Sequence, residues 1–280
     1  MNINLAINEG SKILNSKFIP NPLLDAEILM AKIINKDRNY ILLNYSNPIN
    51  KNDLNDFYKL IEQRSLGNPV AYLTKKKSFW NSEFIVSNDT LIPRPDTELV
   101  VDNALKLTKQ RNKLNILDIG VGSGCILLSI LKERQDFFGT GIDKSEKCLN
   151  ISKMNAINLK ISSRVKLYKS DVDKFNLGKY DLIVSNPPYI NSCKIKYLER
   201  EVAEFEPKLA LDGGLDGLSV IRKVIKKSSE LIKKNGKFIL EIGFDQKNKV
   251  IDFLKKEGFY INSTLRDLAN NDRCIVSTKI

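Results

Sequence analysis

The stretch Leu114-Asn115-Ile116-Leu117-Asp118-Ile119-Gly120-Val121-Gly122-Ser123-Gly124 decides the fold class of this 280-residue chain. Its first six residues form a short, mostly apolar run that is typical of a buried parallel strand. The alternate glycines that follow let the backbone turn sharply before a helix predicted over about 124–134. Strands and helices alternate from here onwards, which predicts a parallel sheet in an α/β domain.

The elements on either side of this stretch divide the chain into three parts. Further strands are predicted at 137–142, 164–169, 180–184 and 237–242, with two more at the end, and helices at about 145–158, 217–234 and 245–257. Helical periodicity without recognisable chemistry precedes them, with helices near 3–15, from Asn21-Pro22 and over 53–61. We therefore predict a helical domain at 1–75, a hairpin connector at 76–93 and an α/β domain at 94–280.

The connector contains two local signals. The segment 67–73 breaks the helical pattern, and residues 79–86 alternate like a hairpin. Two prolines then hold the segment 91–98 extended before a helix that runs to about Lys109, and Asp96 or Thr97 is suited to cap that helix.

The glycine loop favours one cofactor over two others. A dinucleotide loop would read G-x-G-x-x-G/A, but the third position counted from Gly122 is Leu127. No G-K-S/T follows, which excludes a P-loop. The pattern Asp118-x-Gly120-x-Gly122-x-Gly124 instead resembles the S-adenosylmethionine loop of class I methyltransferases.

Two further aspartates follow strands and suit a nucleotide. Asp143 ends the second strand, where a carboxylate can accept hydrogen bonds from both ribose hydroxyls. Asp171 follows the third strand and is placed to reach an adenine amine. For both aspartates, the alternative is a local role as a helix or turn cap.

The turn Ser185-Asn186-Pro187-Pro188-Tyr189-Ile190 follows the strand 180–184, at the sheet edge where α/β proteins bind ligands. Two prolines fix the backbone and remove two N–H donors, so the turn is rigid and rich in acceptors. The Asn186 side-chain carbonyl and the Pro187 and Pro188 carbonyls can receive a planar –NH2 group, and Tyr189 adds an aromatic face. We place the chemistry here.

Composition excludes several classes of reaction. The chain has no histidine, which rules out Ser-His-Asp and Cys-His catalysis and His-ligated metal sites, and we predict no metal. Its four cysteines form no C-x-x-C pair and are expected to be reduced thiols. A net charge of +12 would suit a nucleic-acid partner, but the lysines are spread over nearly every segment, which favours a compositional bias.

The amino-acid pattern also bears on location. No apolar run approaches the roughly 18 residues that a membrane helix needs, and the first residues resemble no signal peptide. We therefore expect a cytoplasmic protein with no membrane partner.

Along nearly its whole length the chain resembles the bacterial release factor glutamine methyltransferases, the PrmC/HemK family. Five segments carry the resemblance: 91–98 (Leu-Ile-Pro-Arg-Pro-Asp-Thr-Glu), 117–124, 186–190, 205–211 and Asn271-Asp272-Arg273. Two positions depart from the family pattern. Lys75 stands where glycine is usual, which puts the turn geometry of the connector in doubt, and Val172 stands where many members carry an aromatic side chain against adenine.

The resemblance implies a class I S-adenosylmethionine-dependent methyltransferase domain with a Rossmann-like fold, and a helical substrate-docking domain before it. The implied substrate is the glutamine of the Gly-Gly-Gln motif in class I release factors. Catalysis is assigned to Asn186, Pro187 and Tyr189, and substrate binding to these three with Pro188. The implied cofactor site comprises Asp118, Gly120, Val121, Gly122, Ser123, Gly124, Asp143, Asp171, Val172 and Asn186.

Two alternatives stay open at this point. Adenine-N6 DNA methyltransferases use a similar turn, although we see no segment after the catalytic domain to read bases and no concentrated basic face on the N-terminal helices. A non-catalytic scaffold would predict a degraded loop or turn, and both are intact. We expect a monomer that acts on release factors and has no direct nucleic-acid substrate.

Overall fold

The computed structural model describes every residue from Met1 to Ile280, and the chain divides into two compact units. The first unit comprises Met1–Lys76 together with Glu199–Phe205. The second comprises Lys77–Leu198 and Glu206–Ile280. No helix is both long and apolar enough to cross a membrane.

The first unit is built from short helices around one apolar core. Its helices are α1 (Ile3–Ser16), α2 (Pro22–Ile34), α3 (Arg38–Leu43), α4 (Lys51–Ser65) and α5 (Val70–Thr74). The side chains of Asn2, Asp37 and Asn50 cap α1, α3 and α4 by accepting a backbone N–H from the first turn. The buried core contains Ile7, Leu14, Leu29, Met30, Ile41, Phe57 and Ile61.

A buried ion pair lies within this unit. The Arg64 guanidinium donates to Asp25 at 2.7 Å and to Glu201 at 2.8 Å, and Arg64 and Asp25 are both buried. Burial raises the pKa of Asp25, although its hydrogen bond to Arg64 opposes that effect. The segment Glu199–Phe205 is thus held by a charge-assisted hydrogen bond as well as by packing.

The second unit contains a hairpin and a larger sheet with helices on both faces. The hairpin pairs β1 (Lys76–Phe79) with β2 (Ser82–Ile85), and a 3-10 turn at Pro95–Thr97 leads into α6 (Glu98–Leu107). Then follow β3 (Asn115–Ile119), α7 (Cys125–Glu133), β4 (Phe138–Asp143), α8 (Glu146–Asn158), β5 (Val165–Lys169), β6 (Tyr180–Ser185), α9 (Arg200–Phe205, in the first unit), α10 (Lys208–Leu211), α11 (Ser219–Leu231), β7 (Ile232–Glu241), α12 (Lys247–Lys256), β8 (Phe259–Arg266) and β9 (Asp272–Lys279).

The sheet has seven strands in the order β5-β4-β3-β6-β7-β9-β8. The pairs from β5 to β7 are parallel, and β9 is antiparallel to both of its neighbours. The chain runs outward from β3 to β5 and then returns to place β6 on the other side of β3. The carboxyl ends of β3 and β6 therefore form the switch point where such sheets bind ligands, and the predicted fold class is confirmed.

Three local predictions differ from the structure. The segment 67–73 does not simply break the helix, because residues 70–74 form α5. Neither Asp96 nor Thr97 caps α6: Thr97 occupies the N-cap position without a side-chain cap hydrogen bond. The helix predicted over 217–234 ends at Leu231, because residues 232–236 extend β7. The short helices α9 and α10 were not predicted.

Candidate active site

A cavity of about 720 Å³ lies in the second unit at the carboxyl ends of β3, β4 and β6. We call it the central cavity. Its lining contains ten of the thirteen predicted site residues: Gly120, Val121, Gly122, Ser123, Asp143, Asp171, Val172, Asn186, Pro187 and Pro188. Asp118, Gly124 and Tyr189 are not in its lining, and each has a different position.

The glycine loop leaves its backbone open on the cavity side. Gly120, Gly122 and Gly124 have φ values of +81°, +54° and +85°, a conformation that favours glycine. A Cβ atom at Gly120 would meet nothing within 4 Å, whereas one at Gly124 would lie 2.8 Å from Leu128 Cδ1. The first glycine thus gives open space beside the backbone, and the third permits close packing of α7.

Asp143 holds the glycine loop and faces the cavity at the same time. Its Oδ2 accepts the Gly122 N–H at 3.0 Å, and its Oδ1 accepts the Ser145 N–H at 2.8 Å. Burial raises the pKa of Asp143, while these two backbone donors lower it. Each oxygen keeps a further lone pair, so the carboxylate can still accept a hydroxyl.

Asp118 lies near the end of β3 and is almost completely buried. Neither of its carboxyl oxygens has a hydrogen-bond partner, and burial raises its pKa to about 7. The nearby Leu127 N–H, in the first turn of α7, makes no hydrogen bond of normal geometry with the carboxyl group, yet its proximity lowers the pKa in part. An unpartnered buried carboxyl is costly, and although Asp118 does not line the cavity, its neighbours Ile119 and Gly120 do, so a cationic group bound there would favour its ionised form.

Asp171 combines the two roles considered for it. It lines the central cavity, and its side chain also accepts the Asp173 N–H at 3.4 Å at the start of the turn Val172–Lys174. Lys144 Nζ lies 3.5 Å from its Oδ2. Val172 lines the cavity beside it, so this wall is aliphatic rather than aromatic.

Asn186 is oriented by a residue that is distant in sequence. Its Nδ2 donates to the Thr97 hydroxyl at 3.2 Å. Its Oδ1 has no partner within the chain, and Asn186 lies in the cavity wall with Pro187 and Pro188. Asn186 thus lies at the cavity with an amide oxygen that no other group of the chain occupies, and its role as an acceptor for the substrate stays a prediction.

The turn 185–190 is also held by a close contact that requires a glycine. Gln246 Nε2 donates to the Tyr189 carbonyl at 2.9 Å and to the Gly217 carbonyl at 3.0 Å. Gly217 has a φ of +72°, and a Cβ there would lie 2.6 Å from the Tyr189 carbonyl oxygen. Only glycine fits this close approach, so Gly217 and Gln246 hold the turn in place.

The Tyr189 side chain points away from the cavity lining towards buried charge. Its hydroxyl lies 3.4 Å from Glu241 Oε1 and 3.5 Å from Arg273 Nη1. Burial raises the pKa of Tyr189, and the nearby Glu241 charge adds to this. Burial also raises the pKa of Glu241 to about 7. The proposed role of Tyr189 against the substrate amide stays a prediction.

The sequence patterns assigned no role in the site to four residues near this turn, namely Arg94, Thr97, Glu206 and Arg273. Arg94 donates to Glu206, whose other oxygen accepts the Ile92 N–H at 3.2 Å. Arg273 donates to Asp267 at 2.9 Å and faces Tyr189, and Thr97 holds Asn186. Arg94, Thr97, Glu206 and Arg273 lie in segments that carry the family resemblance. The resemblance therefore marked these positions, but it did not show which contacts they make.

Comparisons with known proteins cover both units. The model of the PrmC N-terminal domain matches residues 6–74, and that of the methyltransferase small domain matches residues 96–216. A release factor glutamine methyltransferase of Buchnera aphidicola is 38% identical over 259 residues, covering 92% of this chain and 93% of that protein. The chain belongs to the release factor glutamine methyltransferase family. As a member of this family it is an S-adenosylmethionine-dependent methyltransferase.

Other relatives agree with this assignment. A release factor glutamine methyltransferase of Clostridium acetobutylicum is 35% identical over 91% of this chain and 90% of its own length. A bifunctional methyltransferase of Rickettsia typhi is 34% identical, and this chain spans 56% of its length. A ribosomal protein L11 methylase of Lactobacillus delbrueckii aligns with a TM-score of 0.50 over 67% of this chain and 81% of its own, at 18% identity, which supports the fold alone.

Proposed function

We propose that this methyltransferase transfers a methyl group to the side-chain amide nitrogen of the glutamine in the Gly-Gly-Gln motif of class I release factors. The orientation of Asn186 carries the proposal. Its Nδ2 is engaged by Thr97, so its unpartnered Oδ1 is available to an amide N–H in the central cavity. The membership of the chain in the release factor glutamine methyltransferase family supports the same substrate.

The residues around the cavity fit S-adenosylmethionine. The open backbone at Gly120 leaves room for the ligand, and Asp143 can accept hydrogen bonds from ribose hydroxyls. The buried, unpartnered Asp118 would offset the positive charge of the ligand. When bound, S-adenosylmethionine supplies a methyl group on a positively charged sulfur, which is already activated towards a nucleophile.

The task left to the protein is to improve a poor nucleophile. An amide nitrogen is weakly nucleophilic because its lone pair is delocalised into the carbonyl group. Asn186 Oδ1 and the Pro187 carbonyl can accept the two amide N–H bonds of the substrate. Two fixed acceptors favour a nitrogen turned out of resonance, with its lone pair aimed at the methyl group. After the nitrogen has bonded to the methyl carbon, it loses one of its two protons to water. Positioning and electrostatics supply the effect, and no histidine is required.

We also propose that the first unit docks the release factor. This unit has its own buried core, and its sequence shows no recognisable catalytic motif. It exposes large apolar side chains such as Phe18, Leu43 and Leu23. Contiguous apolar patches mark protein interaction sites, and we propose that these side chains contribute to such a surface. Deletion of residues 1–75 should impair methylation of intact release factor more than it impairs cofactor binding, and equal turnover by both proteins would reject the docking role.

Labelled S-adenosylmethionine tests the substrate directly. The protein is incubated with the cofactor and either a class I release factor or duplex DNA, and the label is located by mass spectrometry. We expect a single methyl group on the glutamine of the Gly-Gly-Gln motif, and none on a release factor in which that glutamine is replaced. Label on adenine, or on release factor outside this glutamine, would contradict the proposal.

A further inference from the structure

Arg94 is a partly buried cation in the wall of the central cavity, and a buried carboxylate holds it there. Its guanidinium donates to Glu206 Oε1, and the Glu206 side chain is 1% exposed. The other carboxylate oxygen of Glu206 accepts the Ile92 N–H at 3.2 Å. The Arg94 side chain itself is 35% exposed and lines the cavity. Glu206 therefore fixes the guanidinium at the cavity wall without enclosing it.

The backbone around Arg94 places it beside the active-site turn. The Arg94 carbonyl accepts the Thr97 N–H at 3.1 Å, and the Thr97 hydroxyl oxygen accepts a proton of Asn186 Nδ2 at 3.2 Å. Arg94, Thr97 and Asn186 all line the central cavity. Arg94 thus lies on the side of the cavity where β6 ends, whereas Asp143 and Asp171 lie where β4 and β5 end.

Arg94 keeps donors that no other group of the chain uses. A guanidinium carries five N–H donors in a planar fork, and Glu206 is the acceptor that the chain supplies to it. The fork matches the geometry of a carboxylate, and a hydrogen bond between these two charged groups is about twice as strong as a neutral one. The cavity side of Arg94 is therefore suited to a second carboxylate, one that a ligand brings.

The order of the strands indicates which part of S-adenosylmethionine reaches this side of the cavity. The strands lie in the order β5-β4-β3-β6; Asp171 follows β5, Asp143 ends β4, the glycine loop follows β3, and Asn186 follows β6. With the ribose at Asp143 and the adenine towards Asp171, the methionine part of the cofactor extends past the glycine loop towards β6. That part ends in an amino group and a carboxylate, so the carboxylate comes to the side that holds Arg94.

The other cations of the cavity wall are less suited to this carboxylate. Lys144 Nζ lies 3.5 Å from Asp171, and Lys223 Nζ lies 2.6 Å from Asp173, so both lysines belong to the adenine side and already have an acidic partner. Lys208 also lines the cavity, but its side chain is exposed and no carboxylate of the chain holds it. An exposed lysine loses rotamer freedom when it binds, whereas Arg94 is already fixed.

We infer that Arg94 is a cofactor-binding residue that recognises the carboxylate of S-adenosylmethionine, and that Glu206 is the residue that positions it. The inference concerns the cofactor and does not depend on which amide receives the methyl group. It predicts that the site discriminates against a ligand that has the same nucleoside and the same sulfonium but lacks the carboxylate. Decarboxylated S-adenosylmethionine is such a ligand, because it differs from the cofactor in that group alone.

Calorimetry with both ligands tests the inference, and the melting temperature of each variant is measured in parallel. Arg94→Gln removes the cation but leaves Glu206 buried without its partner, which is costly to the fold. The double variant Arg94→Gln/Glu206→Gln therefore removes both charges together. Glu206→Gln alone keeps Arg94 and still offers it an acceptor. Lys208→Gln is the matched control, since it removes another cation from the wall of the same cavity.

In Arg94→Gln and in the double variant we expect S-adenosylmethionine to bind about ten- to a hundredfold more weakly, the range for a lost hydrogen bond to a charged group. Binding of the decarboxylated ligand should change little, so the preference for the carboxylate is lost. Glu206→Gln and Lys208→Gln should keep that preference.

Three results would overturn the inference: a wild-type protein that binds both ligands equally, a folded double variant that keeps the wild-type preference, or a loss in Lys208→Gln as large as that in Arg94→Gln. The measurement contains no release factor. A failure of the proposed function would therefore leave these affinities unchanged, and the two failures are distinguishable.

Discussion

Asp118→Asn tests whether a buried, unpartnered carboxyl group weakens the fold at neutral pH. Asp118 is 1% exposed, and burial raises its pKa from the ordinary value of 3.8 to about 7. An acid with a raised pKa binds its proton more tightly in the folded chain than in the unfolded chain. The free energy of unfolding therefore falls as the pH rises from about 4 to about 7, and the loss persists above that range.

The size of this effect follows from the two pKa values. Each unit of difference is worth about 1.4 kcal/mol, so about three units correspond to a loss on the order of 4 kcal/mol at about pH 8. Asparagine has nearly the same shape and no charge. Relative to the wild type, Asp118→Asn should therefore gain about 3 kcal/mol of stability between about pH 4.5 and pH 8.

Urea denaturation at both pH values measures this difference. The only tryptophan, Trp80, lies in the second unit, so its fluorescence follows the unfolding of the unit that contains Asp118. Asp252→Asn, at an exposed carboxylate of α12, is the matched control and should show little pH-dependent change. If the stability difference between Asp118→Asn and the wild type is the same at both pH values, the reasoning about Asp118 is refuted.

Three other substitutions probe the cofactor site, the active-site turn and the first unit. Asp143→Ala removes a proposed acceptor for the ribose hydroxyls and the acceptor of the Gly122 N–H. Calorimetry should show S-adenosylmethionine binding weakened by about 1.5–3 kcal/mol. Unchanged affinity in a folded variant would remove Asp143 from the site. Gly217→Ala should slow methyl transfer by at least about tenfold, because the added methyl group displaces the Tyr189 carbonyl. Gly258→Ala, at a similar φ of +74°, is the control and should not slow it. Equal rates for the two variants would reject the role of Gly217 in holding the turn. Lys75→Gly should stabilise the first unit by about 1 kcal/mol in thermal melting, because Lys75 has a φ of +60° at the end of α5, and a lower melting temperature would contradict this.

The alternating strands and helices could be predicted because their periodicity is local. The strands β3 to β6 and the helices α7 and α8 lie within one or two residues of their predicted positions. The helices α9 and α10 lie between the active-site turn and α11, where the sequence has no clear periodicity. Their structure depends on distant contacts, such as that between Glu201 and Arg64, which the sequence does not reveal.

The candidate site could likewise be predicted where it depends on a continuous sequence motif, but not where it depends on contacts between residues distant in sequence. The glycine loop and the Asn-Pro-Pro turn were predicted because each is a continuous motif with its own backbone requirement. Asp96 or Thr97 was predicted to cap α6, since an aspartate or threonine before a helix usually acts in that way. The partner of Thr97, Asn186, lies 89 residues away, so only the folded chain reveals their contact. Lys75 departs from the family glycine, yet it adopts the left-handed conformation that glycine favours.

Single-turnover methyl transfer by Asn186→Ala tests the central claim most directly. The variant is mixed with release factor at saturating S-adenosylmethionine, and its melting temperature and cofactor affinity are measured in parallel. If Asn186 Oδ1 accepts a hydrogen bond from the attacking amide, the variant should fold, largely retain cofactor binding and lose about 10²–10³ in rate. A stable Asn186→Ala protein that transfers methyl at nearly the wild-type rate would contradict the placement of the reaction at this turn.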